Sequence, residues 1–197
     1  DENVMKDRMS KCRRMLKKMR QNGTFIIYED ACYVNQELRL FVNEQIHEYL
    51  DVCSMNEDEM MDYIGYRIDV MKPEAVLKAV TEIYKKLGVP DLFVHSSAWA
   101  LCYGKNAKSY ASVLESGIVM ASARFMYGDN YGQNEFEKIK KVKPSAENLR
   151  FCSEMAAKCP DICCIPCKDM SFVKHPTSVG LGDPFCGGVL IKLAEEK

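Results

Sequence analysis

Near the end of the sequence, VGLGDPFCGG (179–188) sets a single carboxylate, Asp183, beside two glycines and just ahead of an apolar run. Gly180 and Gly182 let the backbone bend sharply and come close to a ligand. The run that follows predicts a helix with Pro184 in its first position, where a missing N–H costs nothing. Amides at a helix start lack intrahelical acceptors and carry partial positive charge, so they form a seat for an anion. A carboxylate at the rim of that seat can take a proton from a substrate hydroxyl. Meanwhile the amides of such a helix start can hold charge building on a phosphoryl group. The alternative is an ordinary N-cap, with the Asp183 side chain closing the first turn.

Two further carboxylate stations lie upstream. In MNEDEM (55–60), Asn56 follows a short strand and opens a helix. Asn56 and Glu59 have capping-box spacing; the same oxygens could reach a magnesium ion on a nucleotide, directly or through water. Glu29 ends the strand TFIIYED (24–30), and Asp30 beside it points to the other side.

Other prominent residues have plainer readings. Trp99 and Tyr103 are four apart, which reads as one core-facing side of a helix. His95, at a strand end, reads as a satisfied core histidine rather than a general base, and His47 as solvated on a helix face. Arg124 and Asp129 either bind phosphate or pair with each other. CPDICCIPC (159–167) could suggest a zinc or iron–sulfur site through Cys159, Cys163, Cys164 and Cys167. On a strand, however, Cys163 and Cys167 face one side and Cys164 the other, which is poor geometry for a tetrahedral ion. Small buried hydrophobes are the better reading.

The elements that must position these groups alternate. A helix over about 2–20 leads into the strand at 24–30, a helix over 35–50 with Leu38, Phe41, Val42, Ile46 and Leu50 on one stripe, and the short strand DVCSM. A helix from Glu57 through Tyr66 follows, then one with Pro73 in its first turn and a stop at Gly88. The continuous apolar strand DLFVHSS (91–97) comes next, then a helix over 109–124, a polar loop YGDNYGQNEF, a helix over 145–158, the strand DICCIPC and a last helix. Strands separated by helices predict βαβ units and a mostly parallel sheet buried on both faces. Ligands of such sheets gather at the carboxyl ends of strands, here just after Ile27, Cys53, His95 and Cys167.

At 197 residues the chain is expected to form a single α/β domain over 1–197, with enough length for a substantial core. Its net charge of −1 supplies no bulk field for nucleic acid or anionic lipid. The basic run KCRRMLKKMR (11–20) has no interleaved aromatics and reads as the solvated face of an amphipathic helix. No apolar stretch approaches the roughly 18 residues of a membrane span, and no signal peptide precedes the ten cysteines. A cytoplasmic location with reduced thiols is the expectation. The opening DENVMKD, without an initiator Met, suggests a fragment.

Taken in order, these stations resemble the ADP-dependent sugar kinases, the glucokinase and phosphofructokinase branch of the ribokinase-like superfamily. The resemblance is carried by VGLGD (179–183) after HPTS, and by the N-x-x-E element at Asn56 to Glu59. The segment from Ile26 to Met60 also resembles the family's strand–helix–strand unit with its H-x-E element. Here Ile27 stands where His is usual, and Glu29 is kept. ESGIVMASARFMYGD (115–129) looks like the family's late helix and following loop. The similarity runs over nearly the whole chain but corresponds to the second half of a typical member, without its lid and most sugar contacts.

The resemblance implies a ribokinase-like three-layer α/β/α fold, incomplete relative to the family. It implies phosphoryl transfer from ADP to a hexose or hexose phosphate, giving AMP. Asp183 would be the catalytic base, with the amides from Gly180 to Asp183 as the anion hole. Glu29, Asn56 and Glu59 would order Mg2+ and its waters. The segment from Cys167 to Val179 would border the adenine, with Val179 and His175 as candidate contacts. ADP rather than ATP comes from the resemblance alone, and an ATP-dependent relative stays open. So does a non-catalytic nucleotide-binding or assembly module, because a partial sheet leaves an edge for the missing half or for a second copy.

Overall fold

The structure, a computed structural model, describes residues 2–196. Five strands form one sheet in the order β1 (Ile27–Glu29), β2 (Val52–Asn56), β3 (Asp91–His95), β4 (Trp99–Gly104) and β5 (Ile162–Pro166). β1 pairs with β2 and β2 with β3 in parallel; β3 with β4 and β4 with β5 are antiparallel. The α/β class is the expected one, but the sheet is mixed rather than mostly parallel. The cause is β4. Ser96 turns the chain back, its Oγ accepting from the amides of Ala98 and Trp99, so β4 returns directly beside β3.

Helices cover both faces. On one lie α1 (Glu2–Gln21), α2 (Gln36–Ile46), α3 (Glu57–Ile64), α4 (Pro73–Leu87) and α7 (Ala146–Lys158), around a core that includes Met55, Met60, Val80, Leu92 and Leu101. On the other lie α5 (Ala111–Tyr127) and α8 (Gly182–Glu195), packed on Val52, Phe93, Ala100 and Cys102. The short α6 (Gln133–Lys140) leans on α5 through Ile139. This is the three-layer arrangement.

Local signals account for most boundaries. α4 starts with Pro73 at N1 and ends at Gly88, whose φ of +65° is the left-handed cap that glycine adopts without strain. Ser145 caps α7 by accepting from Asn148 N at 3.1 Å. Buried Leu16, with half-buried Met9, Cys12 and Met19, is the apolar stripe of α1, while the basic side chains stay in solvent.

Several expectations need correction. Trp99 and Tyr103 are core residues, but of β4 and not of a helix; Trp99 stacks on Phe151 at 5.4 Å and donates to Val70 O at 2.9 Å. The end of the expected polar loop is already the first turn of α6. The buried face of α2 includes Arg39 and Asn43 beside Ile46. Arg39 is fully buried, 3.3 Å from Asp30 and over the Tyr63 ring at 4.8 Å. That ion pair holds Asp30 on the face opposite Glu29.

Cys163 and Cys164 belong to different core clusters on opposite faces of the sheet, and Cys164 Sγ lies 3.2 Å from Cys152 Sγ. Among the described residues no helix is long and apolar enough to cross a membrane.

Candidate active site

The carboxyl ends of β1, β2, β3 and β5 and the start of β4 share one edge of the sheet, because β5 runs parallel to β3 across antiparallel β4. A cleft of about 600 Å³ opens there, within the usual size of a small-ligand site. Asn56, Glu57 and Asp58 form one wall, and His95 with Ser96 and Ser97 the floor. Leu181, Gly182 and Phe185 of α8 close another side. The remaining wall combines apolar Ile118, Ala121 and Phe125 with residues 167–171 and Ser178. The strand-end expectation for Cys53, His95 and Cys167 is therefore met at the level of geometry.

α8 begins two residues earlier than Pro184 would suggest. Leu181 is its N-cap, Gly182 and Asp183 open the first turn, and Phe185 N donates to Leu181 O at 3.2 Å. Asp183 makes no capping hydrogen bond and its side chain is exposed, which removes the N-cap reading. The amides of Gly182 and Asp183 precede the first possible i−4 acceptor of the helix, and Pro184 has no N–H. Gly180, at φ +69°, supplies the left-handed bend into the turn. Its exposed position leaves nothing within 4 Å of an added methyl group, so backbone conformation alone demands the glycine.

The second station is a reciprocal cap. Glu59 N donates to Asn56 Oδ1 at 2.9 Å, and Asn56 N donates to Glu59 Oε2 at 2.8 Å. Glu59 is buried, and burial first, then the Asp30 and Glu29 charges, raise its carboxyl above the ordinary value against the pull of the Asn56 amide and His95. Glu57 is raised chiefly by burial and then by Asp58.

Glu29, the third station, is met by a residue whose strand-end position alone suggested only a core role. His95 Nε2 lies 3.0 Å from Glu29 Oε1, and the imidazole stacks on Phe185 with ring centres 4.4 Å apart. Burial works to raise the Glu29 carboxyl, but His95, with Ser54 and Cys186, outweighs it and holds the group below its ordinary value. Glu29 Oε2 and Ser54 Oγ are buried, and neither completes a hydrogen bond of sound geometry. Ile27 packs against the α5–α8 side of the core.

The structure thus gathers Asn56, His95, Leu181 and Gly182 on the cleft; Glu29, Glu59, Gly180 and Asp183 do not line it, although Glu29 contacts His95 and Asp183 follows Gly182 in the chain. Val179 and His175 are exposed and are not part of the cleft wall. Arg124 and Asp129 pair with each other. His47 is half-buried, with Nδ1 3.0 Å from Asn43 O, rather than solvated. The pairing of His95 with Glu29 had no signal in the sequence beyond the place of His95 at a strand's carboxyl end.

Among the described residues no three acidic, imidazole or thiol groups converge closely enough to chelate an ion unaided. Mg2+ keeps several waters and takes one or two carboxylates plus substrate phosphates, so it does not require such a triad. The orphaned buried Oε2 of Glu29 is the observation that fits such an ion or its water.

No family profile and no curated protein sequence matches the chain. Solved structures do. A phosphofructokinase from Pyrococcus horikoshii OT3 with AMP superposes with a TM-score of 0.78 at 21% identity, over 95% of this chain and 46% of that one. An ADP-dependent kinase in complex with fructose-6-phosphate and ADPbetaS gives 0.79 at 17% identity, over 95% and 49%. The last common ancestor of ADP-dependent phosphofructokinases from Methanosarcinales gives 0.78 at 16% identity, over 95% and 46%. The chain spans about half the length of these structures. Over 95% of its length the chain shares the fold of the corresponding half of these structures.

Proposed function

We propose that the chain is the nucleotide-binding and catalytic part of an ADP-dependent hexose or hexose-phosphate kinase, of the glucokinase or 6-phosphofructokinase type. The observation that carries this reading is the start of α8. Its first-turn amides lack helical partners, the adjacent Asp183 caps nothing, and Leu181 and Gly182 open onto the cleft at the strand ends.

In this reading the outer phosphate of ADP rests against the amides from Gly180 to Asp183. Asp183 accepts the proton of the attacking sugar hydroxyl as the phosphoryl group transfers, leaving AMP. The amides stabilise the charge on the transferring oxygens, and positioning does most of the work, as in phosphoryl transfer generally. Glu29, Asn56 and Glu59 would hold Mg2+ through its waters, and the ion would neutralise phosphate charge. The cap engages Glu59 Oε2, so its contribution falls to the other oxygen. Residues 167–171 with Ser178 line the side assigned to the base, and Val179 and His175 would border its outer rim. Sugar contacts come chiefly from outside these residues, so the chain alone transfers little.

Asp183→Asn in the full-length protein tests this. The expected result is turnover lower by about 10²- to 10⁴-fold, with ADP affinity close to wild type. Wild-type turnover would exclude Asp183 as the base. Titration calorimetry with ADP, AMP and ATP, each with Mg2+, tests donor choice.

A second reading, a non-catalytic nucleotide-binding or assembly module, is favoured by the outer edge of β1, which pairs with no strand among the described residues. Light scattering separates the two, since assembly through that edge requires a species larger than one chain.

A further inference from the structure

His95 occupies a mechanical crossing point. It sits at the end of β3, two strands away from Glu29, and the two meet over β2, where the register places small Ser54 beside Glu29. The imidazole is 12% exposed and the Glu29 side chain 32%, so the contact is only partly sheltered from water. Its other side is the Phe185 ring, two residues after Asp183. That ring is seated against Gly117 of α5, where an added methyl would come within 2.7 Å of it. A line of contacts therefore runs from α5 through the first turns of α8 to β3 and on to β1.

We infer that His95 is a positioning residue, which fixes one oxygen of Glu29 and, through Phe185, sets that carboxylate relative to the first turn of α8. His95 engages Glu29 Oε1; Oε2 is buried and completes no hydrogen bond, so it is the oxygen with capacity left for a cation's water. The stack prevents the α8 turn from drifting away from that oxygen. The inference rests on the kinase reading for the roles of Glu29 and Asp183; the His95–Glu29 contact itself does not.

Two variants separate the two halves of the device. His95→Phe keeps the stack and removes the nitrogen; His95→Gln supplies an amide nitrogen and removes the ring. The readout is the Mg2+ concentration that half-saturates ADP binding, measured by calorimetry on the full-length protein. Removing such a supporting partner costs about 10- to 100-fold in metal affinity. His95→Phe is expected to raise the half-saturation point by that factor, and His95→Gln to recover most of the loss. Glu29→Gln should cost a similar factor, and the double variant with His95→Phe should be little worse than either single one.

An unchanged Mg2+ requirement in His95→Phe, multiplicative losses in the double variant, or a His95→Gln as impaired as His95→Phe would each overturn the inference. A parallel urea-unfolding cycle on the same variants tests the contact without any nucleotide. Coupling there, together with no Mg2+-dependent ADP binding by the wild type, would overturn the kinase reading and the inference with it. ADP binding without a His95 effect overturns the inference alone.

Discussion

α8 carries two adjacent glycines whose surroundings differ, and replacing each by alanine should shift stability in opposite directions. A methyl group at Gly187 would meet only Met120 Sδ at 3.6 Å, an ordinary contact with a flexible side chain. At Gly188 it would lie 2.5 Å from the Ser116 carbonyl oxygen, 2.8 Å from its carbon and 2.9 Å from Gly117 Cα. Those atoms are α5 backbone, so no rotamer change relieves the overlap. Reaching an ordinary 3.4 Å contact requires α5 and α8 to part by about 0.9 Å, the difference between 3.4 and 2.5 Å. Overpacking of this kind costs about 1–3 kcal/mol, and a backbone obstacle argues for the upper end. Alanine returns about 1 kcal/mol of helix propensity. Gly188→Ala should therefore lose about 2 kcal/mol and Gly187→Ala gain about 1 kcal/mol. For a chain of this size each kcal/mol moves Tm by about 2–4 °C. Gly188→Ala should melt about 4–8 °C lower and Gly187→Ala about 2–4 °C higher. Thermal and urea unfolding of the purified chain measure both. Equal stability of the two variants would refute the close α5–α8 approach that seats Phe185.

The remaining predictions concern the sheet edge and its supports. Arg39→Met leaves Asp30 buried without its partner and should cost about 3–5 kcal/mol in urea unfolding; Asp30→Asn added to it should recover part of that. Asn56→Ala removes half of the reciprocal cap and should cost about 1 kcal/mol, read as a lower urea midpoint with unchanged slope. Gly180→Ala meets no steric neighbour but forces a side chain into the left-handed region, at about 1–2 kcal/mol. Glu29 titrates below its ordinary value of 4.5 when folded, so the native state binds fewer protons than the unfolded chain in that window. Its contribution is present above pH 4.5 and is lost as pH falls through the folded value. Unfolding midpoints of Glu29→Gln should accordingly fall less steeply than those of the wild type on acidification.

Features set within one turn of chain were legible from the residues. The Asn56–Glu59 cap and Pro73 and Gly88 around α4 depend on partners within a few positions, and they form as expected. β4 escapes the sequence for a physical reason. Residues four apart share a face in a helix and in a strand alike, so Trp99 and Tyr103 could not distinguish the two. α6 was hidden because its polar sequence packs through a single buried residue, Ile139.

The sequence by itself determined most helices and strands other than β4 and α6, the glycine bend before α8 and the Asn56–Glu59 cap, because each is encoded in short-range backbone preference. Only the tertiary structure decided which of these meet. The antiparallel return of β4, the removal of Asp30 to Arg39, and the joining of His95 to Glu29 across 66 positions depend on how strands register and which face of the sheet each side chain enters. Those choices follow from the packing of the whole sheet against α5 and α8, which no local run of residues specifies.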